Sequence, residues 1–286
     1  MKKLASAILA VAVIFSLTIP SYAVDTTTQT GDATVVVMNE YEELKKLAEQ
    51  TPATLGSKGL SSNEIATIKN YQEVYRNHIE DLQTLSDNAL SKNGYNEAQI
   101  NMIRNFAGTE EEMVLLSAEL TFYSSTTAFR YVQGGRTTGG LAYNWEWNGI
   151  PVIKMQDMVA ATWNSWRVTD DTSYVTYFEL ISGEQYSRRS AEFTYDEDEN
   201  ELAGAGHRFE MTLSDNYYYA KMGGGTFSLE SDGFLKKDFS YYIAYGHATV
   251  EPEIGFSVSL PGGAAGSISW NSVVETAGSD RGSYVW

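Results

Sequence analysis

The hydrophobic pattern of the chain changes period once. Between about residues 39 and 120, apolar side chains return every three or four positions, the spacing of one helix face. The clearest run is Ile65, Ile68, Tyr71, Val74, Tyr75, Ile79, Leu82 and Leu85. Ser61 and Glu64 stand before it at capping-box spacing, so the pattern predicts one amphipathic helix over 61–91. Lys92-Asn93-Gly94 stops that helix, and Ile100, Ile103 and Phe106 place a shorter one over 96–106. Thr109 and Glu112 form a second capping box ahead of Met113, Leu115, Leu116 and Leu120. Met38–Ala48 reads as the first helix of the group.

Beyond residue 120 the period becomes two. Alternation runs through Thr121–Val132, Ser173–Ile181, His207–Leu213, Phe239–Val250, Gly255–Leu260 and Ser267–Ser272. Gly134-Gly135, Gly139-Gly140, Gly183, Gly204, Asp232-Gly233 and Pro261-Gly262-Gly263 supply turn chemistry between these runs. All six tryptophans and 14 of the 19 tyrosines lie in 121–286, and aromatic residues favour strands. The expected fold class is therefore α+β: a small N-terminal helical bundle over 39–120, then an antiparallel β-sandwich or barrel-like domain over 121–286. The Thr/Gln/Gly/Asp-rich stretch that opens 24–38 offers little to bury and reads as a flexible lead segment.

Residues 1–23 have the form of a secretory signal. Lys2 and Lys3 precede the apolar stretch Leu4–Ile19, and Ser21-Tyr22-Ala23 is a small-x-small cleavage site. Removing them takes away two lysines and no acid, so a formal charge of −17 becomes −19. That balance opposes nucleic acid and anionic membranes as partners, because no basic excess exists to displace phosphate counterions. The local pairs Arg188-Arg189 and Lys236-Lys237 do not reverse it. The absence of cysteine excludes disulfides, thiolate metal sites and cysteine nucleophiles.

Three stretches of the helical half carry a resemblance: Leu85-Ser-Asp-Asn-Ala-Leu90, Gly94-Tyr95-Asn-Glu-Ala-Gln99-Ile100 and Ile103-Arg104-Asn105-Phe106-Ala-Gly108. Trp145-Glu-Trp147 and Asp157-Met-Val-Ala160-Ala-Thr-Trp163 carry it in the β half. These segments resemble a module of secreted proteins of Gram-positive bacteria that have no assigned activity. The resemblance implies a secreted Gram-positive protein with a helical head and a β domain, and it brings no active site. Leu260-Pro261-Gly262-Gly263 is not a sortase signal.

Little in the chain suits catalysis. His78, His207 and His247 show neither helical nor strand pairing as ligands, and no serine sits in a nucleophile elbow. Glu146, Asp157, Glu179 and Glu210 are the acids that a glycosidase would need to pair across a cleft. Asp196, Asp198 and Asn200 alternate like the start of a calcium loop, but Glu201 and His207 occupy positions where an EF-hand requires Gly and Glu. A solvated hairpin tip accounts for them better, since like charges repel and prefer water, and they stand only as weak calcium candidates. No cofactor is implied.

Two binding readings remain. Tyr217-Tyr218-Tyr219 and Tyr241-Tyr242 place rings on both sides of a strand, so Tyr217, Tyr219 and Tyr241, together with Trp145 and Trp147, are candidate contacts for an extracellular glycan or wall polymer. The alternative is a β-pore-forming secreted protein that inserts the hairpin 254–274. There Phe256, Val258, Leu260, Ile268 and Trp270 alternate with serines, lipid face against water face. Each arm has five or six alternating residues, whereas a strand crosses a bilayer with ~9–11. The expectation is a secreted, non-catalytic binding protein; a membrane is a partner only in the alternative.

Overall fold

The computed structural model describes residues 34–57, 60–132, 136–163, 166–195, 204–214, 216–231, 238–248, 256–259, 267–270 and 274–285. The segment 1–23 read as a secretory signal, residues 24–33, and Asp196, Asp198, Asn200 and Leu260 lie outside them. In chain order the elements are β1 (Thr34–Asn39), α1 (Glu40–Glu49), α2 (Pro52–Ser57), α3 (Ser62–Lys69), α4 (Tyr71–Leu82), α5 (Asp87–Lys92), α6 (Glu97–Arg104) and α7 (Glu110–Leu116). Next come β2 (Glu119–Val132), β3 (Arg136–Asn148), β4 (Gln156–Trp163), β5 (Trp166–Glu179), β6 (Gln185–Arg189), β7 (Glu192–Tyr195) and β8 (Gly204–Glu210). The last are β9 (Thr212–Leu213), β10 (Tyr218–Ser231), β11 (Asp238–Ala248), β12 (Phe256–Ser259), β13 (Ser267–Trp270) and β14 (Val274–Val285).

The chain is mixed, with antiparallel sheets that do not close into a barrel. A seven-stranded sheet runs β1-β2-β3-β10-β5-β6, with β9 beside β10, and a five-stranded sheet runs β14-β11-β4-β8-β7. Both contribute to one core containing Phe122, Tyr143, Trp145, Trp147, Trp163, Trp166, Phe227, Phe239, Tyr241 and Tyr245. Trp145 stacks on Phe209 across it, with centroids 4.8 Å apart and planes 5° from parallel. The run Gly223-Gly224-Gly225 in β10 makes room for these rings. A Cβ on Gly223 would stand 2.6 Å from the Trp145 ring, so the indole lies directly on bare backbone.

Helices α1–α7 lie between β1 and β2 in the chain, and their own core holds Tyr41, Leu44, Leu47, Tyr75, Ile79, Leu90 and Ile103. Tyr219, Ile150, Phe178 and Leu180 join that core from the β half. Asn93 sits at this seam. It accepts a hydrogen bond from the Tyr219 hydroxyl at 2.8 Å and donates to the Leu180 carbonyl at 3.2 Å. The Lys221 ammonium bonds the Lys92 carbonyl at 2.5 Å. The helices therefore cover the outer face of the seven-stranded sheet at the Tyr219 end.

Four local expectations change. The segment read as a flexible lead already carries β1 from Thr34, in register with β2 (Val35↔Tyr123, Met38↔Leu120), and Met38 is core rather than helix. Asn39 caps α1 by accepting the Glu42 amide at 3.1 Å. The helix expected over 61–91 is three helices. It breaks at Asn70, whose backbone leaves the helical region (φ −105, ψ 24), and again before Ser86, which caps α5. Finally, β4 lies in a stretch without alternation, because every residue from Asp157 to Trp163 is buried and no polar face marks the period. The capping boxes at Ser61/Glu64 and Thr109/Glu112 form as read.

Candidate functional site

Four of the five aromatic residues singled out as ligand contacts are interior. Trp145, Trp147, Tyr219 and Tyr241 are at most 2% exposed. In β3 the pleat turns Trp145 and Trp147 inward and Glu146 outward; Tyr241 faces the core between the sheets, and Tyr219 is sealed under the helices. Burying such a ring removes on the order of 150–250 Å² from water, which decides the register of each strand. These residues hold the fold and do not meet a ligand.

Tyr217 differs, at 40% exposed. It leaves a turn in which Ser214 (φ 50) and Asn216 (φ 68) take left-handed backbone, and its amide closes the turn on the Ser214 carbonyl at 3.1 Å. Its ring packs edge-on against Tyr218 at 4.9 Å. Tyr218 stacks on Tyr186 with centroids 3.7 Å apart and planes 15° from parallel. Tyr186 and Ile181 are 51% and 55% exposed, so these side chains make an aromatic patch where β5, β6 and β10 meet. Glu179 borders it; hydrogen bonds from Ser182 and Tyr217 hold its carboxyl below the usual range.

The same edge continues along β6 into a groove of about 450 Å³ lined by Thr172, Ser173, Tyr174, Arg188, Arg189 and Ser190. The Arg188 guanidinium lies over the Tyr174 ring at 3.7 Å, and Arg189 stands 5.9 Å from the Tyr177 ring. The Tyr174 hydroxyl donates to Asn144 Oδ1 at 3.2 Å, and its ring lies beside Gly224, where a Cβ would come within 3.1 Å of it. β6 is five residues at the border of its sheet, and four of them are exposed. Sequence reasoning missed Tyr186, Ile181 and Tyr174. The available signal was Gln185-Tyr-Ser-Arg-Arg189, a strand-length run with no aliphatic residue, as a sheet border requires.

The histidines lie elsewhere, in sealed networks. His247 Nδ1 is 2.9 Å and 3.0 Å from the two Asp157 oxygens, and its Nε2 is 3.5 Å from Glu40. Asp157 also accepts the Tyr245 hydroxyl at 2.5 Å. Glu40, the first residue of α1, takes the Val152 and Ile153 amides at 2.9 and 2.8 Å and the Tyr75 hydroxyl at 2.6 Å. Burial opposes the charge on His247, but Asp157 and then Glu40 outweigh it and keep the ring protonated up to about 10. Burial likewise opposes ionisation of Glu40, and His247, Tyr75 and the Val152 amide override it, so its carboxyl sits below the usual range.

His207 is fully buried, 2.6 Å from the Tyr143 hydroxyl and 2.9 Å from Asp171, and stacked on Phe227. Desolvation pushes its pKa down. His78 lies on α4 with Nε2 buried and unpartnered; burial and then Lys154 push it down to about 4. None of these rings opens onto the β6 edge. The acids considered for glycoside chemistry are dispersed: Glu146 is exposed on the outer face of the seven-stranded sheet, Asp157 is interior, Glu179 borders the tyrosine patch and Glu210 pairs with Gln156 at 2.7 Å. Among the described residues no group of three His, Asp or Glu could hold a metal ion.

A second cavity of about 390 Å³ opens between α1, α3, α4 and the β3–β4 connection, with Lys154 among apolar walls of Ile68, Tyr71, Val74, Val152 and Ile153. Of the expected hairpin 254–274 the described residues are Phe256–Ser259 and Ser267–Trp270, which pair antiparallel with Phe256 opposite Trp270 and Val258 opposite Ile268. The described strands are four residues each, against the ~9–11 that cross a bilayer. Among the described residues no helix is long and apolar enough to span one.

No family model matches the chain, and no curated protein matches it. Among solved structures it is similar to the collagen-binding domain from a Staphylococcus aureus adhesin, at 8% identity and a TM-score of 0.27, covering 57% of this chain and 96% of that one. It is also similar to the C-terminal domain of the Streptococcus agalactiae AgI/II polypeptide BspA (9%, TM-score 0.28, 45% of this chain) and spans about half of it, 53%. A third is a Streptococcus parasanguinis structure concerning adhesion by Fap1 fimbriae (8%, TM-score 0.26, 58% of this chain and 78% of that one). Scores this low leave the fold to be read from the chain's own strands.

Proposed function

We propose that this chain is a secreted, non-catalytic binding protein of Gram-positive origin, a helical bundle joined to a β-sandwich, and that it grips an extracellular glycan or wall polymer along β6. The observation that carries the reading is the exposed stack of Tyr186, Tyr218 and Tyr217 at a sheet border. Clustered tyrosine rings, two of them exposed, suit the apolar face and polar edge of a sugar. The signal pattern of residues 1–23 supports export, and the net charge of −17 disfavours nucleic acid and anionic lipid.

The test is retention of the purified protein on a glycan array and on insoluble wall polysaccharide. Tyr186→Ala with Tyr217→Ala is expected to weaken retention by about tenfold or more, while the protein stays folded at the assay temperature, its thermal transition lowered only by the lost ring contacts to Tyr218. Wild-type retention by the double variant sinks the reading. Hydrolysis of a polysaccharide by the pure protein, lost in Glu146→Gln, would overturn its non-catalytic part.

A further inference from the structure

We infer that the groove holding Arg188 and Arg189 is an anion-binding subsite, so that the ligand of the β6 edge is a negatively charged polysaccharide; this rests on the reading of β6 as the ligand-binding edge. The chain has 37 acidic residues against 20 lysines and arginines, so a guanidinium has carboxylates to choose from. Arg76, Arg104, Arg136, Arg167 and Arg208 each meet one, at 2.6 or 2.7 Å, whereas exposed Arg130 has no ion pair among the described residues. The Arg188 and Arg189 guanidiniums have neither hydrogen bond nor ion pair among the described residues; their contacts are the ring faces of Tyr174 and Tyr177. Neighbouring carboxylates are already engaged: Asp171 faces His207 at 2.9 Å and Glu192 faces Arg208 at 2.6 Å.

The two tyrosines are themselves held. Tyr174 is tied to Asn144, and the Tyr177 hydroxyl donates to the Glu210 carbonyl at 2.8 Å. A guanidinium lying over a fixed ring loses little further freedom on binding, and its N–H edge remains available for an oxyanion in bidentate geometry. Thr172, Ser173 and Ser190 line the same groove with hydroxyls. In β6, Tyr186 sits at a register shift two residues before Arg188, and Arg188 and Arg189, opposite Thr176 and Val175, leave the strand on its two faces, so the guanidiniums flank the sheet border. A polymer that passes round this border can thus lay a sugar ring on the tyrosine stack and meet a guanidinium with an acidic substituent. Because the protein as a whole repels anions, affinity for one has to come from such a local site.

The experiment measures binding of the full mature chain to dextran sulfate, polygalacturonate, neutral dextran and polyphosphate, at about 50 and about 200 mM salt, where a contact to a polyanion weakens. Sulfated or carboxylated polymer is expected to bind at least tenfold more tightly than neutral dextran and to weaken with salt. Which of the two binds better identifies the anionic group. Arg188→Ala and Arg189→Ala should each weaken binding by about tenfold or more, the scale of a hydrogen bond to a charged group. Arg188→Lys should restore only part, because an ammonium lacks the planar fork.

Equal binding of neutral dextran, insensitivity to salt, or wild-type behaviour of the arginine variants overturns the inference. If Tyr186→Ala alone abolishes binding of a neutral glycan, the glycan reading stands and the anionic one falls. If no polymer binds, both fall. Equal affinity for polyphosphate, which has no sugar ring, overturns the polysaccharide assignment.

Discussion

Two kinds of residue decide this structure, small ones that let rings approach and polar ones that are sealed inside. Gly223 is of the first kind. Gly223→Ala places a methyl 2.6 Å from the Trp145 ring and 2.6 Å from the Tyr174 carbonyl, and it is expected to cost about 1–3 kcal/mol in denaturant unfolding, as overpacking does. Glu40 is of the second kind. Glu40→Ala leaves the Val152 and Ile153 amides and the Tyr75 hydroxyl unpartnered and strips a counter-charge from His247, so a loss of about 3–5 kcal/mol is expected. An unchanged unfolding midpoint in either variant would contradict the packing described. Neither residue was legible as important in the sequence: glycine in a strand reads as a weak point, and Glu40 reads as one acid in the run Glu40-Tyr-Glu-Glu43.

Elements were legible where a local signal existed. The capping boxes at Ser61 and Thr109 depend only on residues three apart, and both formed. Asn96 with Gln99 makes a third, readable from the same rule. The long helix failed because Ile65 to Leu85 keeps one hydrophobic face across Asn70 and Ser86; a period reports which side is buried, not whether the backbone turns. β1 was hidden behind the polar stretch before it, although Val35-Val36-Val37 is strand-like composition. Met38→Ala tests that assignment: a core position costs about 2–5 kcal/mol on truncation, whereas a flexible lead segment loses nothing. Thr109→Ala should cost about 1 kcal/mol through the lost cap, measured by the same unfolding curves.

At the scale of the whole molecule, buried histidines couple stability to pH in opposite directions. His247 binds its proton more tightly in the folded chain, about 10 against the ordinary 6.5, so its contribution is complete below 6.5 and is lost as pH rises through 10. His78 is neutral when folded, with a pKa of about 4, so its contribution is complete above 6.5 and is lost as pH falls towards 4. The thermal midpoint should therefore peak near pH 6.5 and fall on both sides. His247→Gln should flatten the alkaline limb; a limb that persists unchanged would place its origin elsewhere.

The sequence by itself determined the switch from helical to strand period near residue 120, the caps, the turn at Gly183 and the inward–outward alternation of strands such as β3, because all of these depend on neighbours a few residues apart; Gly139-Gly140 and Gly204, read as turns, lie within β3 and β8. It could not say which side of an alternating strand would be covered. That depends on partners 90 residues away or more: Tyr219 is buried because Asn93 lies over it, and His247 is charged because Glu40 and Asp157 converge on it. The same long-range docking left β6 as a border strand, with the tyrosine stack and the two arginines facing solvent. Only the tertiary structure decided where a ligand could reach, because exposure is a property of the assembled sheets and not of any one strand.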